Sequence, residues 1–285
     1  MASPAVPLPN PTNPPLPSDA PSNDNTITQA GFKVTTRKLP ILKAGPIEEM
    51  TEKLGIAPPE MIFGDNLARI EHPASGWSIE FNAFDALDRV DKTGDSMLKV
   101  SYSKEWQQNR QHHSSDIKEV IKPFDWSYST DHAGSTESLA SNLLQFEPTT
   151  TPIPLELLKR PDPILFFDEV MLYEDELADN GIAMLSCKIR VMPARLLLLS
   201  RFFLRLDDVI FRIRDTRVFV EFKTGEVIRE YTAREEKYDE VKRKMKLRGE
   251  KEADIPALMR DANRLAGMLP VVEQRLERLE LHKAP

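Results

Sequence analysis

The chain has 285 residues, and its 45 acidic side chains outnumber its 38 lysines and arginines, so its formal net charge is −7. An acidic balance argues against nucleic acid as the main partner, because phosphate binding requires a basic surface. The hydrophobic fraction of 40% is sufficient for a packed core, and the length fits one large domain or two small ones.

Cysteine content and apolar runs indicate the compartment. Cys187 is the one cysteine, which excludes an internal disulfide and a cysteine-based zinc site, so we expect a reducing environment in the cytoplasm and also the nucleus. The first residues are rich in proline where a signal peptide would have a basic end and an apolar run. The most apolar stretch, 196–206, is interrupted by Arg201 and Arg205. It is shorter than the roughly 20 residues of a membrane helix, so no membrane partner is expected.

The first 30 residues carry eight of the 23 prolines, among serine, threonine, asparagine and alanine. Such a composition buries too little apolar surface to offset the entropy of ordering, which predicts a disordered tail over 1–30. A proline-rich docking ligand is the alternative interpretation. From residue 31 to residue 285 the sequence predicts a single folded domain.

The first predicted elements of that domain are helices and strands of moderate length. An amphipathic helix is predicted over 46–54, because a proline stands at its first position and a glycine follows its last. Strict alternation of apolar and polar residues predicts a strand over 76–83, and the pattern recurs at 98–102 and 124–128. A short helix is expected over 84–90.

A hairpin is predicted in the middle of the chain, where strands over 170–177 and 182–191 flank Asn180 and Gly181. This pair favours a type I′ turn because both residues tolerate positive φ. Cys187 falls on the apolar side of the second strand, so we interpret it as a small core side chain.

The remaining predictions complete the fold class. A proline at its first position indicates a helix over 193–199, and strands then flank a turn at Asp207 and Asp208. Residues 235–255 are largely charged and predict a mobile segment, and the leucine spacing over 256–282 predicts helices. We therefore expect an α+β domain of two mostly antiparallel β-sheets packed face to face, with flanking helices.

Motifs for catalysis or cofactor binding are largely absent from the sequence. The five histidines never show the spacing of a helical zinc site, and no glycine pattern for phosphate or dinucleotide binding occurs. We therefore expect no metal, no cofactor and no enzyme activity. The alternative is acid–base chemistry by the carboxylates at 168–169 and 174–176, although neighbours on a strand point to opposite faces.

A series of local strings occurs in one order along the chain. They are MIFGDN (61–66), IEFNAxDAL (79–87), KEVIKPxDW (118–126), FFxEV (166–170), EDEL (174–177), KIRVMP (188–193), RFFLR (201–205), DTR (215–217) and REYTxRE (229–235). Together they resemble the TIP-forty-one-like family, the TOR signalling pathway regulators that bind type 2A phosphatases.

This resemblance implies a non-enzymatic regulator that binds the catalytic subunit of type 2A-family phosphatases and holds its carboxyl-terminal tail in a cleft. The family works beside the Tap/alpha-four type regulatory subunit. The tail-binding positions of the family correspond to Asp85, Ile153, Ile213 and Asp215 in this sequence. Family members often carry methionine where Ile213 stands.

Each of these residues also has an ordinary structural interpretation. Asp85 is suited to cap the short helix that follows it, and Ile153 and Ile213 are suited to a hydrophobic core. For the function, the alternative is an adaptor that binds chiefly the Tap/alpha-four type subunit. The resemblance leaves open whether the chain is a phosphatase inhibitor or steers phosphatase assembly.

Overall fold

Two antiparallel sheets form the framework of the chain. The computed structural model describes residues 24–93, 124–138 and 144–281. The paired strands in these ranges form one sheet of five strands and one of eight. This confirms the expected α+β class with two antiparallel sheets and flanking helices.

The elements are numbered in chain order. The strands are β1 (Asp24–Gln29), β2 (Phe32–Arg37), β3 (Met61–Ile62), β4 (Leu67–His72), β5 (Trp77–Asn82), β6 (Ser135–Ser138), β7 (Glu147–Pro148), β8 (Phe166–Asp175), β9 (Gly181–Val191), β10 (Arg195–Leu206), β11 (Ile210–Glu221), β12 (Glu226–Lys237) and β13 (Val271–Glu280). The helices are α1 (Ala44–Leu54), α2 (Ala83–Asp88), α3 (Leu155–Leu158), α4 (Tyr238–Leu247), α5 (Ile255–Leu258) and α6 (Ala262–Ala266).

The strand order follows the chain closely in both sheets. The smaller sheet has the order β1-β2-β4-β5-β6, and the larger has the order β3-β8-β9-β10-β11-β12-β13-β7. From β8 to β13, each strand pairs with the next strand in sequence. Antiparallel neighbours need only short connections, which explains this arrangement.

The main hydrophobic core lies between the two sheets. Leu198 of β10 and Val218 of β11 belong to one buried cluster with Ile70 and Phe81 of the smaller sheet. We call this side of the larger sheet the inner face. Successive residues of a strand point to opposite sides. The residues that alternate with the inner-face residues along each strand therefore point away from the smaller sheet.

Helices cover parts of that opposite side, which we call the outer face. Val241 and Met245 of α4 are buried in one cluster with Phe211 and Ile213 of β11. The short helices α5 and α6 complete this cluster. A smaller cluster around Ile153 lies elsewhere on the outer face. The larger sheet is therefore buried on both sides over much of its area.

The prediction of a disordered tail over 1–30 needs correction at its end. Residues 24–29 form β1, which pairs with β2 along its whole length. Arg37 forms an ion pair with Asp24 at 2.7 Å, which joins the first residue of β1 to the last residue of β2. Residues 1–23 lie outside the described ranges, so the remainder of that prediction is untested.

Two further local predictions are wrong. The helix expected over 193–199 is replaced by β10, which pairs with β9 and β11. Pro193 lies in the preceding turn, where the Met192 N–H donates to the Arg195 carbonyl at 2.8 Å. The strand expected over 124–128 is an irregular turn with positive φ at Tyr128. The strand expected over 98–102 lies outside the described residues.

The carboxyl-terminal predictions are partly confirmed. Helices α5 and α6 lie within the expected helical region 256–282, apart from the first residue of α5, but β13 occupies 271–280 and pairs with β12. The charged segment over 235–255, expected to be mobile, contains the end of β12 and α4. Because Val241 and Met245 are buried, α4 packs on the outer face, whereas residues 246–254 are exposed.

Both predicted hairpins are present, but each turn differs from the prediction. β8 and β9 pair around a connection over 176–180, where the positive φ angles occur at Leu177, Ala178 and Asp179. The type I′ turn expected at Asn180 is therefore wrong. β10 and β11 pair around Asp207 and Asp208, but Leu206 lies opposite Ile210, so Val209 belongs to the turn and not to the strand; positive φ occurs at Asp208. The helices expected over 46–54 and 84–90 correspond to α1 and α2.

Candidate functional site

Three of the four predicted site residues lie on the outer face. Ile213 and Asp215 are two residues apart on β11 and point to the same side. Ile153 precedes α3 and is buried in one cluster with Phe219, which shares their side of β11. Asp85 lies in α2, which follows β5 of the smaller sheet. The structure therefore brings three of the residues to one surface and leaves Asp85 elsewhere.

A line of ion pairs crosses the outer face at Asp215, which is fully buried. Arg201 Nε and Nη2 donate to Asp215 Oδ1 and Oδ2, both at 2.7 Å. Arg217 Nη2 donates to Asp215 Oδ2 at 3.0 Å, and its Nη1 donates to Glu230 Oε1 at 3.2 Å. We call these four residues the ion-pair strip. Two guanidinium groups offset the cost of burying one carboxylate.

Strand register explains why the strip forms. Pairing of β10 with β11 around the turn at 207–209 places Arg201 opposite Asp215. Pairing of β11 with β12 places Arg217 opposite Glu230. Directly opposed residues of antiparallel strands have side chains on one face and close together. The strip is therefore a consequence of two hairpins.

The apolar site residues lie in separate clusters. Ile213 is fully buried in the cluster that α4 covers, and Ile153 is 3% exposed in the cluster with Phe219 and Ile228. Their burial confirms that both side chains belong to the hydrophobic core. They shape the surface from beneath, and in this conformation they present almost no area to a partner.

Asp85 has a different local role from the expected helix cap. The Asp85 N–H donates to Asn82 Oδ1 at 2.8 Å, so Asn82 is the N-cap of α2. Asp85 Oδ2 accepts from Asn82 Nδ2 at 3.0 Å and also from Ser135 Oγ. As the third residue of the helix, the Asp85 carboxylate is favourably placed near the positive end of the helix dipole. Asp85 is half-buried.

A shallow depression of about 90 Å³ adjoins the ion-pair strip. A second hollow of about 450 Å³ shares Met184 and Phe203 with it and extends to Arg205 and Arg260. We call the two together the outer groove. The residues that line the first depression are Glu169, Met184, Ser186, Lys188, Leu199, Arg201, Phe203, Ala262 and Asn263.

Two cations of this depression, Lys188 and Arg201, were not among the residues predicted for the site. Arg201 Nη1 donates to Asn263 Oδ1 at 2.8 Å, and Lys188 Nζ lies 3.0 Å from Glu169 Oε1. The hairpin predicted around Asp207 and Asp208 gave no signal for Arg201, because a two-residue turn would place Arg201 opposite Arg214, whereas the observed register places it opposite Asp215. The contribution of Asn263 depends on how α6 packs, which no local pattern indicates.

The carboxylates considered for acid–base chemistry have structural surroundings. Asp168 is buried and Glu169 is exposed, as alternation on a strand predicted. Asp168 accepts hydrogen bonds from Thr36 Oγ1 and Lys38 Nζ, each at 2.5 Å. Burial opposes ionisation of Asp168, but its hydrogen bonds outweigh burial and lower its pKa. A general acid at neutral pH needs a raised pKa, so Asp168 is better described as a link between the two sheets.

Cys187 is buried, and burial raises the pKa of its thiol to about 12, which confirms its interpretation as a core side chain.

Within residues 24–93, 124–138 and 144–281, no group of three or more histidine, cysteine, aspartate or glutamate side chains is placed to hold a metal ion. None of the helices described is long and apolar enough to cross a membrane.

These features define an α+β scaffold of two packed sheets with a groove on the outer face of the larger one. The chain belongs to the TIP41-like family, whose model matches residues 61–242. It is 43% identical to the human TIP41-like protein over 251 residues. The aligned residues cover 87% of this chain and 86% of the human protein.

Two fungal relatives have more specific names. The Saccharomyces cerevisiae type 2A phosphatase activator TIP41 is 41% identical over 273 residues, 90% of this chain and 75% of that protein. The Schizosaccharomyces pombe type 2A phosphatase activator tip41 is 32% identical over 254 residues, 87% of this chain and 96% of that protein. Both names describe activation, which is at odds with the phosphatase inhibitor considered from the sequence.

Proposed function

We propose that this chain is a non-enzymatic regulator that binds the catalytic subunit of type 2A-family phosphatases in TOR signalling. The names of the fungal relatives support a phosphatase partner. The observation that carries the proposal is the ion-pair strip, because a buried carboxylate holds Arg201 at the edge of the outer groove. We place this activity in the cytoplasm and also in the nucleus, where Cys187 would remain reduced.

The outer groove has the components needed to hold the carboxyl-terminal tail of the phosphatase. Met184 and Phe203 provide apolar surface, and Lys188 and Arg201 provide positive charge. Such a tail ends in a carboxylate, and an arginine fork binds a carboxylate through directed, charge-assisted hydrogen bonds. Arg201 has five N–H groups, of which three donate to described residues. The Arg201 side chain is 13% exposed, and a bound tail would accept from the two remaining N–H groups.

The four residues implied by the family resemblance then act at different depths. Asp215 fixes the orientation of Arg201, while Ile213 and Ile153 support the sheet surface on either side of the strip. These three are positioning residues, since they are buried. Asp85 belongs to a separate contact with the catalytic subunit, outside the outer groove.

Calorimetric titration of the full chain tests the proposal. The titrants are a purified type 2A catalytic subunit and the same subunit without its carboxyl-terminal tail. We expect tight binding that weakens at least tenfold when the tail is removed. Lys188→Ala is expected to weaken binding roughly fivefold, because one charge contact at a rim is worth about 1 kcal/mol.

Lys33→Ala is the matched control for Lys188→Ala. Both lysines are 45% exposed and form one ion pair on a strand, Lys33 with Glu71 and Lys188 with Glu169. Lys33 lies on the smaller sheet, and its replacement is expected to leave binding unchanged.

Other outcomes redirect the proposal. Equal binding of the intact and shortened subunits would remove tail capture, and full binding by Asp85→Lys would remove Asp85 from the interface. If neither form binds, the Tap/alpha-four type subunit becomes the next titrant, which tests the adaptor alternative.

A further inference from the structure

The connection between β7 and α3 contains a serine/threonine-proline sequence. In the whole chain such a dipeptide occurs at Ser3-Pro4 and at Thr151-Pro152. Thr151 is exposed, and Ile153, two residues further, is buried. An accessible hydroxyl therefore lies immediately beside a side chain that the family resemblance assigns to the binding site.

Prolines and two anchored ends restrict the backbone around Thr151. The residue before a proline is restricted to extended conformations, and here Thr151 and Ile153 each precede a proline. The Thr149 N–H donates to the Leu276 carbonyl at 2.9 Å, which fixes the start of the connection to β13. Ile153 fixes its other end in the cluster with Phe219.

The Thr151 hydroxyl is not used by this arrangement. The Thr151 N–H donates to Thr149 Oγ1 at 3.1 Å, and Thr151 Oγ1 makes no hydrogen bond to another described residue. Its modification would break no hydrogen bond in the part of the chain that the structure describes.

We propose that Thr151 is a phosphorylation site for a protein kinase that requires proline after its acceptor residue. The Thr151 oxygen attacks the γ-phosphorus of a nucleoside triphosphate, and the nucleoside diphosphate leaves. The hydroxyl proton passes to the catalytic aspartate of the kinase. An exposed segment outside the helices and strands, with proline at the next position, presents the hydroxyl without unfolding the domain.

The phosphate has a defined effect on the outer face. Between Thr149 at β13 and Ile153 over β11, the connection crosses the outer face of β12 beside the ion-pair strip. A phosphate adds about two negative charges at neutral pH. The phosphate repels a ligand that ends in a carboxylate, and it competes with that carboxylate for the guanidinium groups of the strip. This consequence rests on the proposed function, whereas the modification itself does not.

The experiment incubates the full chain, carrying Ser3→Ala, with a cyclin-dependent kinase and separately with a mitogen-activated protein kinase. The readouts are intact mass and fragment mapping. We expect one phosphate at Thr151 with at least one kinase, its loss in Thr151→Ala and Pro152→Ala, and its retention in the matched control Thr150→Ala. Thr150 is also exposed but is not followed by proline.

Absence of phosphate at Thr151 with both kinases, while each kinase fully modifies a proline-directed peptide, would overturn the proposal. So would modification at Thr151 only after the chain is denatured. The phosphorylated chain is then titrated with the phosphatase catalytic subunit, and binding at least fivefold weaker is expected at low salt. Unchanged binding with Thr151 fully phosphorylated would overturn the effect on the binding site and leave the site of modification established.

Discussion

The inner and outer faces of the larger sheet are both extensively buried, but by different means. The inner face packs against a second sheet through one continuous apolar cluster. The outer face is covered by helices and loops in two separate apolar clusters, with charged residues of the ion-pair strip on the same side of the strands. A sheet packed on another sheet needs only matching apolar surfaces. A face covered in pieces leaves room for polar groups and a groove.

The difference indicates where function and stability reside. Apolar burial on the inner face is non-directional and tolerates exchange of similar side chains. The strip depends on each partner, because removal of one charge leaves another buried without compensation. The following substitutions test that contrast.

The largest expected effect belongs to Asp215→Ala. The substitution leaves Arg201 and Arg217 facing each other without the carboxylate that they share. Breaking a buried ion pair by removing one partner costs about 3–5 kcal/mol. The measurement is urea unfolding followed by circular dichroism, with the free energy extrapolated to zero denaturant. Asp254→Ala is the control, because Asp254 is exposed and its side chain makes no capping hydrogen bond.

His132 provides a test on the inner side of the larger sheet. It packs edge-on against Phe81 at 5.6 Å between ring centres, and its carbonyl accepts from Thr216 Oγ1. Burial lowers the pKa of His132 from 6.5 to about 4, although nearby Asp85 partly opposes the shift. The folded state therefore favours the neutral ring, and the stability that depends on it is present above pH 6.5.

As the pH falls from 6.5 to 4, the unfolded chain binds a proton that the folded chain does not. The contribution of His132 to the unfolding free energy should fall by about 1.4 kcal/mol per pH unit, or roughly 3 kcal/mol in total. His132→Gln removes this dependence. The check is the difference between wild-type and variant unfolding free energies at several pH values, in which carboxylate titrations cancel. Parallel curves from pH 7 to pH 4 would contradict the prediction.

The two faces also differ in how much the sequence predicted. Alternation identified β5, β8 and β9, because period-two burial is a local signal. The helix wrongly expected over 193–199 is a strand buried on both sides, and a continuous apolar run does not distinguish these two structures. The spacing of Leu276 and Leu279 in β13 is typical of an amphipathic helix, and the strand forms because this segment pairs with β12.

For the candidate site, the sequence named residues but did not predict their surroundings in the fold. The family strings singled out Ile213 and Asp215, and the hairpin register places Arg201 beside Asp215. The core interpretation of Ile213 is correct, but the helix that covers it could not be predicted, since α4 lies in a segment expected to be mobile. Local patterns do not encode how such helices dock.

A smaller effect is expected for Ile213→Met. Ile213 is fully buried among Val241 and Met245 of α4. Methionine has a similar volume and is unbranched, so it adapts to an irregular cavity, and such exchanges cost less than about 1.5 kcal/mol. Ile213→Ala, which leaves a cavity, should cost about 2–5 kcal/mol. Equal losses for both variants in urea unfolding would show that the branched shape is required and that the outer cluster is as specific as the strip.

The smallest expected effect is at Phe167, which lies on the outer face where none of the described helices covers it and is 58% exposed. Phe167→Ser should change the unfolding free energy by less than about 0.5 kcal/mol, as for other surface positions. Phe202, 1% exposed on the inner face, is the matched aromatic, and Phe202→Ala should cost about 3–5 kcal/mol. Urea unfolding of the two variants side by side compares a covered and an uncovered part of one sheet. A loss above 1 kcal/mol at Phe167 would contradict the prediction, because it would show that this part of the outer face contributes to stability as the inner face does.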